Sequence, residues 1–343
     1  QFSSYTVALK KEGNVHKAYI VESTNPSWKA GQVKFIVNDP EDNNTAKVTF
    51  FMGDHSARQI DTMTLLGNNE VVLGNSFIVM SREEPRQESS PEITRYVRLL
   101  STKAPLFEKI SENTVLVRIP AFDHAFKKDI DAVIAKHLDT ILKTENLIID
   151  IRGNGGGSDV SYASLLPILY TNPIRTVGME YLSTELNNSR MLGFLQNPHF
   201  SEEEKQWAKD GYDILNQHIG SYINIDEDVT VETFDKIEPL PKSIGVLVDS
   251  SNGSTAEQFL LAAKQSKKVK LFGQTTAGVL DISNMYQTDS PSGTFTLYYS
   301  LTKSLRIPHM AIDGVGIQPD YYIDGELPLY QWTSYTQKIL EGM

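Results

Sequence analysis

Residues 146–157 have the sequence NLIIDIRGNGGG, and residues 244–257 have the sequence IGVLVDSSNGSTAE. In each stretch a short apolar run, typical of a buried strand, leads into a turn rich in glycine or in asparagine and serine. The first turn offers bare backbone N–H groups, because glycine lets the chain approach a ligand closely and adopt a positive φ. The second places the Ser254 hydroxyl at a predicted helix N-terminus, where free N–H groups favour negative charge. The pair predicts an oxyanion site facing a serine nucleophile.

Each turn also has a simpler explanation. The glycine turn lacks the lysine of a phosphate-binding loop and has Ser158 where a dinucleotide-binding fingerprint has its last glycine, so a plain strand-to-helix turn is the alternative. Residues 254–257 read Ser-Thr-Ala-Glu, which fits a helix capping box that needs no chemistry. Both turns follow predicted parallel strands, and ligands of open α/β sheets bind at the carboxyl ends of such strands. The pairing therefore favours the functional interpretation.

The same patterns predict an α/β protein of two domains. Residues 1–90 alternate β-branched and aromatic runs with turn residues, which predicts a smaller β-rich N-terminal domain, and a polar, proline-containing linker follows at residues 82–91. Residues 91–343 alternate strands with helices, which predicts βαβ units and a largely parallel sheet. A polar, mostly helical insertion is expected at residues 183–235.

Composition excludes several classes of protein. The 343 residues are 40% hydrophobic and 22% charged, which suits a globular chain with a full core, and the net charge of −11 argues against a nucleic-acid partner. The absence of cysteine excludes a thiol nucleophile and disulfides. We predict no metal, no cofactor and no membrane-spanning segment. The first residue, Gln1, suggests a processed product, so we expect an extracytoplasmic protein, periplasmic or on the cell surface, whose leader is removed.

Four motifs carry a resemblance to a known family. In chain order they are DIRGNGGG (residues 150–157), GSTAE (253–257), LFGQTTAG (271–278) and GVGIQPD (314–320). Over roughly residues 95–325 the chain resembles the tail-specific, or carboxyl-terminal processing, serine peptidases. The resemblance implies a crotonase-like core of ββα units and a polypeptide substrate, cleaved in unstructured or carboxyl-terminal segments. It places Ser254 on the family's nucleophile, and the N–H groups of Gly156 and Thr255 on its oxyanion donors.

The identity of the general base is less clear from the motifs. Val279 stands where the commonest branch of the family has its catalytic lysine, and the usual peptide-binding PDZ domain is not recognisable. The other branch, which resembles the tricorn core peptidase, uses a Ser-His-Ser-Glu tetrad, and a neutral histidine is the ordinary partner of a serine hydroxyl. His124 is the first candidate because it follows the predicted strand 115–119. The other candidates are His55 and His309.

The sequence therefore predicts a serine endopeptidase or carboxyl-terminal processing peptidase that uses Ser254, His124 and Asp281. Asp281 and Asp313 are candidates for the carboxylate that orients the base, although either could cap a turn. An alternative is an inactive relative that binds extended peptides by strand addition. A third hypothesis takes the crotonase-like core literally, as acyl-thioester chemistry with the serine as a helix cap.

Overall fold

The computed structural model describes residues 4–38, 45–74, 78–198 and 200–342, so Gln1 and the leader hypothesis attached to it lie outside the described residues. The chain divides into two compact units. The first comprises residues 1–103 with 328–331, and the second comprises residues 104–327 with 332–343. Helices and several sheets are both present, which confirms the mixed α/β class.

The first unit is built on a seven-stranded antiparallel sheet whose strands pair in chain order. Its strands are β1 (Tyr5–Glu12), β2 (Val15–Ser23), β3 (Val33–Asn38), β4 (Thr45–Phe51), β5 (Ala57–Leu66), β6 (Glu70–Leu73) and β7 (Ile78–Ser81). All seven contribute apolar side chains to one cluster around Val48 and Leu73, so the sheet curves around its own core. Because side chains alternate between the faces of a strand, one face of each strand can supply that cluster.

Helix α1 (Pro91–Ser101) completes the first unit. The Ser90 hydroxyl accepts the N–H of Ile93 at 3.2 Å, and Pro91 occupies the first helical position. Both are ordinary signals of a helix start. The predicted linker at residues 82–91 therefore ends in a helix that the polar composition of that segment concealed.

The second unit contains twelve strands and six helices in its described residues. Its strands are β8 (Leu106–Lys109), β9 (Thr114–Arg118), β10 (Asn146–Asp150), β11 (Ile174–Val177), β12 (Met179–Leu182), β13 (Tyr222–Ile223), β14 (Val229–Glu232), β15 (Ser243–Val248), β16 (Val269–Gly273), β17 (Ile282–Asp289), β18 (Thr296–Ser304) and β19 (Tyr321–Tyr322). Its helices are α2 (Lys127–Ile141), α3 (Leu166–Leu169), α4 (Glu185–Gln196), α5 (Glu202–Asn216), α6 (Thr255–Ala263) and α7 (Trp332–Gly342).

The central sheet of this unit has six strands in the order β19-β16-β15-β10-β9-β8. All neighbouring pairs are parallel except β8 with β9. Every residue of β9 and β10 is buried, as expected for parallel strands that are covered on both faces. In this register Ile149 lies opposite Val117 on one side and Val246 on the other. The carboxyl ends of β9, β10 and β15 therefore meet at one edge.

Helices cover both faces of the central sheet. One apolar cluster joins strand residues to Ile130 of α2 and Phe259 of α6. On β15, a Cβ added to Gly245 would lie 2.7 Å from Thr336 and 3.1 Å from Leu340, so α7 packs closely against this strand. The alternation of strands and helices predicts a helix after the glycine turn, over residues 160–170, but the chain forms a 3-10 helix over Asp159–Leu165 followed by α3, in which Pro167 occupies the first turn.

The helical insertion predicted at residues 183–235 contains α4 and α5. Helix α5 begins with a capping box, in which the Ser201 hydroxyl accepts the N–H of Glu204 and the Glu204 carboxylate accepts the N–H of Ser201. A separate antiparallel sheet has the order β13-β12-β18-β17. Among the residues placed by the structure, no helix combines the length and apolar character needed to span a bilayer.

Candidate active site

The glycine turn after β10 is held by the buried side chain of Asn154. Its Oδ1 atom accepts the N–H of Gly156 at 2.9 Å, and its Nδ2 group donates to the carbonyl of Ile119 at 3.2 Å. The first bond shapes the turn, and the second ties it to the end of the neighbouring strand β9. A buried carboxamide that satisfies backbone groups in this way makes a rigid loop.

The serine turn after β15 is held by Asn252, which is also fully buried. Its Oδ1 atom accepts the N–H of Asp249 at 2.8 Å. Its Nδ2 group donates to two carbonyls of the glycine turn, that of Ile151 at 2.6 Å and that of Asn154 at 3.0 Å. The two turns are therefore one hydrogen-bonded structure at the edge of the sheet.

Ser254 has a strained backbone and a free hydroxyl. Its φ is 53° and its ψ is −126°, a combination that is unusual for a residue with a side chain. The residue is partly exposed, and its hydroxyl has no hydrogen-bond partner among the described residues. The capping-box interpretation of residues 254–257 is wrong, because the Ser254 side chain makes no capping bond to α6.

Glu257, the other half of the expected capping box, has a different task. Its carboxylate is fully buried and accepts the hydroxyl of Thr276, the N–H of Gly278 at 2.8 Å and the N–H of Val279 at 2.9 Å. These bonds fix residues 276–279 against the first turn of α6. A carboxylate that faces backbone donors from another segment cannot also cap its own helix.

Gly156 brings the glycine turn against the nucleophile. Its φ is 108°, and a Cβ added to it would lie 2.7 Å from the carbonyl oxygen of Gly253 and 2.9 Å from the Cβ of Ser254. Only glycine fits this approach. The N–H of Gly156 is engaged by Asn154 Oδ1, whereas the N–H of Thr255 has no acceptor within the described ranges.

His124 lies next to the glycine turn. It starts a 3-10 helix over His124–Phe126, just beyond β9. Phe122, two residues earlier, donates to the carbonyl of Gly156 at 3.0 Å and accepts the N–H of Ser158 at 2.9 Å. His124 is exposed, and no hydrogen bond joins it to Ser254 in the described structure.

Among the described residues, Asp281 bonds to an arginine and to backbone N–H groups. Its buried carboxylate accepts Nε of Arg306 at 2.8 Å and the N–H groups of Ile312 and Asp313. Burial raises the pKa of this carboxyl, but the backbone donors and the Arg306 guanidinium outweigh burial and leave the pKa below its ordinary value. No histidine is among its partners in the described residues.

Asp313 caps a turn, which is one of the two roles considered for it from the sequence. Its Oδ1 atom accepts the N–H of Leu280 at 2.5 Å and that of Asp281 at 2.6 Å, and its Oδ2 atom accepts the N–H of Ile282 at 3.2 Å. The two aspartates thus fasten residues 280–282 to residues 312–313 through reciprocal bonds.

The two remaining histidine candidates differ in their surroundings. His55 belongs to the first unit, where its ring lies 4.4 Å from the ring of Trp28 and its Nε2 atom lies 3.0 Å from the carbonyl oxygen of Ser27. His309 is an exposed residue of the second unit, between β18 and the turn that holds Asp313.

Asp159 is a charged neighbour that sequence analysis did not single out. It follows the glycine turn at the start of the 3-10 helix Asp159–Leu165. Desolvation raises the pKa of its carboxyl, against the opposing effects of the Thr255 hydroxyl and the Arg306 guanidinium. Although the residue surface is exposed, its carboxyl therefore lies where the charged form is poorly solvated.

Two further aspartates set the electrostatics behind the turns. Burial raises the pKa of Asp150, but the charges of Arg152 and Arg118 outweigh burial, so its pKa lies below the ordinary value. The Arg152 Nη2 atom is 2.7 Å from its carboxylate. Asp249 bridges the turns through the N–H of Gly153 at 2.9 Å, and desolvation raises its pKa.

Comparison of the sequence with known protein families identifies the family of this chain. Residues 113–323, more than half of the chain, match the profile of peptidase family S41. The chain belongs to peptidase family S41. The match lies within the second unit and contains both turns, so the resemblance inferred from the four motifs is confirmed at the level of the family.

One relative among known proteins is an uncharacterized protein of Chlamydia muridarum (strain MoPn / Nigg). It is 25% identical over 268 residues, which are 67% of this chain and 44% of that protein. The chain thus spans less than half of the length of the curated relative that it matches.

Several solved structures are similar to this fold. Mature CPAF is 14% identical, with a TM-score of 0.50 over 99% of this chain and 82% of that chain, and this likeness shows a shared fold. The photosystem II D1 C-terminal processing protease is 12% identical, with a TM-score of 0.41 over 94% of this chain and 72% of that chain.

Proposed function

We propose that this S41 family member is a serine endopeptidase or carboxyl-terminal processing peptidase with Ser254 as its nucleophile. The observation that carries the proposal is the state of Ser254. The residue is partly exposed, its hydroxyl has no internal partner in the described structure, and its backbone is strained at the N-terminus of α6. Strain of this kind costs on the order of 1–3 kcal/mol and persists where the surrounding structure enforces it.

The oxyanion donors in this proposal are the N–H groups of Thr255 and Gly156. The Thr255 N–H is free among the described residues, at the positive end of the α6 dipole. The Gly156 N–H is occupied by the neutral Asn154 Oδ1 atom, and a charged oxyanion accepts a stronger hydrogen bond than a neutral amide. Each donor aimed at the developing charge lowers the barrier by about 3–4 kcal/mol.

His124 is the proposed base. It adjoins the glycine turn, which lies against Ser254, and the histidine is exposed. It takes the proton from Ser254 Oγ as that atom attacks the scissile carbonyl carbon. It then gives the proton to the leaving amine when the C–N bond breaks, and water hydrolyses the resulting ester by the same route. The missing contact in the unliganded protein fits catalytic hydrogen bonds that tighten when substrate binds.

Asp281 receives a positioning role in place of the predicted catalytic one. With Arg306 and the 312–313 backbone as its partners, its carboxylate holds the turn that follows Val279. The polypeptide substrate, the crotonase-like character of the core, the N-terminal domain at residues 1–90 and the extracytoplasmic location belong to the same proposal. No observation favours a protein that binds peptides without cleaving them.

The proposal is tested by labelling with a fluorophosphonate probe, which reacts with activated serine hydroxyls. We expect the purified protein to be labelled and Ser254→Ala to be unlabelled, with an unchanged unfolding temperature because no hydrogen bond is lost. Ser250→Ala is the matched control, since Ser250 is an exposed serine of the same turn. Labelling that survives in Ser254→Ala would rule out this nucleophile.

The base is tested separately with the same probe and with an unfolded protein substrate. His124→Ala should lower the rate of hydrolysis by at least a hundredfold and leave the fold unchanged. His309→Ala, which removes another exposed histidine of the same unit, should leave the rate unchanged. The opposite pair of results would transfer the role of base to His309.

A further inference from the structure

We infer that Val279 forms an apolar subsite beside Ser254, and that this subsite selects substrates with a large aliphatic side chain on the residue that supplies the scissile carbonyl. The inference rests on the proposed function of Ser254 and specifies its substrate class. It assigns a specificity-determining role to a residue that lies in the turn after β16.

Val279 lies against the residue that precedes the nucleophile. A Cβ added to Gly253 would be 2.6 Å from Cγ2 of Val279 and 3.6 Å from the Cβ of Ala277. The valine side chain therefore covers the Cα atom of Gly253, the residue directly before Ser254. In the subsite that we infer, the substrate side chain next to the attacked carbonyl packs against this surface.

The backbone of Val279 is fixed from two sides. Its N–H donates to the buried carboxylate of Glu257 at 2.9 Å. The preceding carbonyl, that of Gly278, accepts the N–H of Gly314 at 2.9 Å. A side chain on a turn held in this way is preorganised, so a ligand does not have to order it on binding.

Val279 is nevertheless 53% exposed, and its surroundings share that character. Ile282 is 48% exposed three residues further on, and Val315, in the turn that bonds to Gly278, is 63% exposed. One exposed aliphatic residue needs no explanation. Val279 and Val315 lie on two turns that are hydrogen-bonded to each other, and Ile282 begins β17 directly after the first of them, so the three together indicate a surface that a ligand covers.

The chemistry of the turn favours an uncharged side chain. Residues 274–280 read Gln-Thr-Thr-Ala-Gly-Val-Leu and contain no charge. The nearby carboxylate of Glu257 is fully buried and is directed at backbone donors. A charged substrate side chain would lose hydration against these uncharged residues, whereas an aliphatic one would bury surface on both partners.

The test uses peptidyl diphenyl phosphonates that carry leucine, glycine or lysine at the reacting residue, because their second-order labelling rates report this subsite directly. We expect the wild-type protein to react with the leucine probe at least ten times faster than with either of the others. Val279→Ala should reduce the leucine-to-glycine ratio by about five- to tenfold, as expected for lost methyl contacts. Val279→Thr, which keeps the shape and replaces a methyl group by a hydroxyl, should reduce the ratio by a smaller factor.

The matched control is Val231→Ala. Val231 is 51% exposed on β14, in a separate two-stranded sheet, and its loss should leave the ratio unchanged. An equal ratio in wild type and both Val279 variants, with Ser254 still labelled by a general fluorophosphonate, would overturn the subsite and leave the proposed function intact. Failure of the general probe to label Ser254 at all would overturn the proposed function itself. If Val279→Ala does not fold, the Thr variant decides.

Discussion

The glycine turn after β10 and the serine turn after β15 have the same arrangement of residues and hydrogen bonds up to one position, where their residues differ. In both, a fully buried asparagine stands four residues beyond the last strand residue and a glycine follows it: Asn154-Gly155 in the first turn and Asn252-Gly253 in the second. In both, the asparagine N–H closes a tight turn onto the carbonyl three residues earlier. The next residue is Gly156 in one turn and Ser254 in the other.

That position requires a positive φ in both turns. It is 108° at Gly156, where it costs nothing, and 53° at Ser254, where a Cβ makes it unfavourable. The glycine turn supplies backbone only, so glycine suffices. The serine turn supplies a hydroxyl, so the chain tolerates strain there. Local strain is thus confined to the one position of the pair where a side chain is needed.

The two asparagines also differ in how much they hold together. Asn154 donates to the end of β9, and Asn252 donates to two carbonyls of the glycine turn. Each amide therefore fastens its own turn to the strand end before it in the chain. The Asn252 side chain makes two such bonds, whereas the Asn154 side chain makes one.

The largest effect is expected from making the two turns alike. Ser254→Gly should lower peptide hydrolysis by at least a thousandfold, because the nucleophile is gone. It should also raise the free energy of unfolding by about 1 kcal/mol over Ser254→Ala, since glycine relieves the strain at φ 53°. Urea denaturation of the two variants measures the difference. A glycine variant less stable than the alanine variant would mean that Ser254 is not strained.

A Cβ at the equivalent position of the other turn should be the next most damaging change. Gly156→Ala would press a Cβ to 2.7 Å from the Gly253 carbonyl, so we expect a loss of about 3 kcal/mol in the free energy of unfolding and loss of fluorophosphonate labelling. Gly155→Ala is the control, because its Cβ would meet nothing within 4 Å. Equal stability of both variants would contradict the close approach.

The asparagines should rank by their number of bonds. Asn252→Ala removes three side-chain hydrogen bonds, one from a backbone donor and two to backbone acceptors, and should cost about 3 kcal/mol. Asn154→Ala leaves one donor and one acceptor unpaired, and should cost about 2 kcal/mol. Denaturant midpoints at equal slope provide the comparison. The reverse ranking would show that the glycine turn, not the serine turn, holds the edge of the sheet.

The smallest effect is a difference in the pH dependence of the two turns. The lowered pKa of Asp150 stabilises the fold above the ordinary value of 3.8, and that stability is lost as the pH falls through the folded pKa. The raised pKa of Asp249 has the opposite sign, because the folded state binds the proton more tightly.

Asp150→Asn should therefore cost more at pH 7 than at pH 3, and Asp249→Asn should cost more at pH 3 than at pH 7. Urea denaturation at the two pH values measures each difference. A common sign for both variants would show that one of the two pKa directions is wrong.

Much of the architecture could be predicted from the sequence. Among the β-branched and aromatic runs of the N-terminal domain, residues 33–37, 46–51 and 71–73 lie in β3, β4 and β6, and the buried strands before the two turns are β10 and β15. These strands can be predicted because each buried position must carry an apolar residue, which leaves a hydrophobic pattern in the sequence. Helix α1 and the 3-10 helix after the glycine turn were not predicted. The first depends on the Ser90 cap and the second precedes Pro167, and such local signals give no hydrophobic pattern that extends along the sequence.

The site was predicted less completely. The sequence located both turns and favoured Ser254 as the nucleophile, but it left a capping box of Ser254 and Glu257 as an alternative and gave no role to the buried carboxylate of Glu257. The repeated Asn-Gly step at the same distance from both strand ends was the available signal for Asn154 and Asn252. It passed unnoticed because a turn asparagine is ordinary.

The sequence by itself determined the family, the two strand-to-turn devices and the absence of a lysine at residue 279, since these depend only on residue order. Only the tertiary structure decided that Ser254 is uncapped, that Glu257 bonds to residues 276–279, and that Asp281 pairs with Arg306. Each of these polar side chains could form a hydrogen bond with its own turn or with a segment distant in sequence. Which bond forms depends on how the strand ends are brought together in the folded chain.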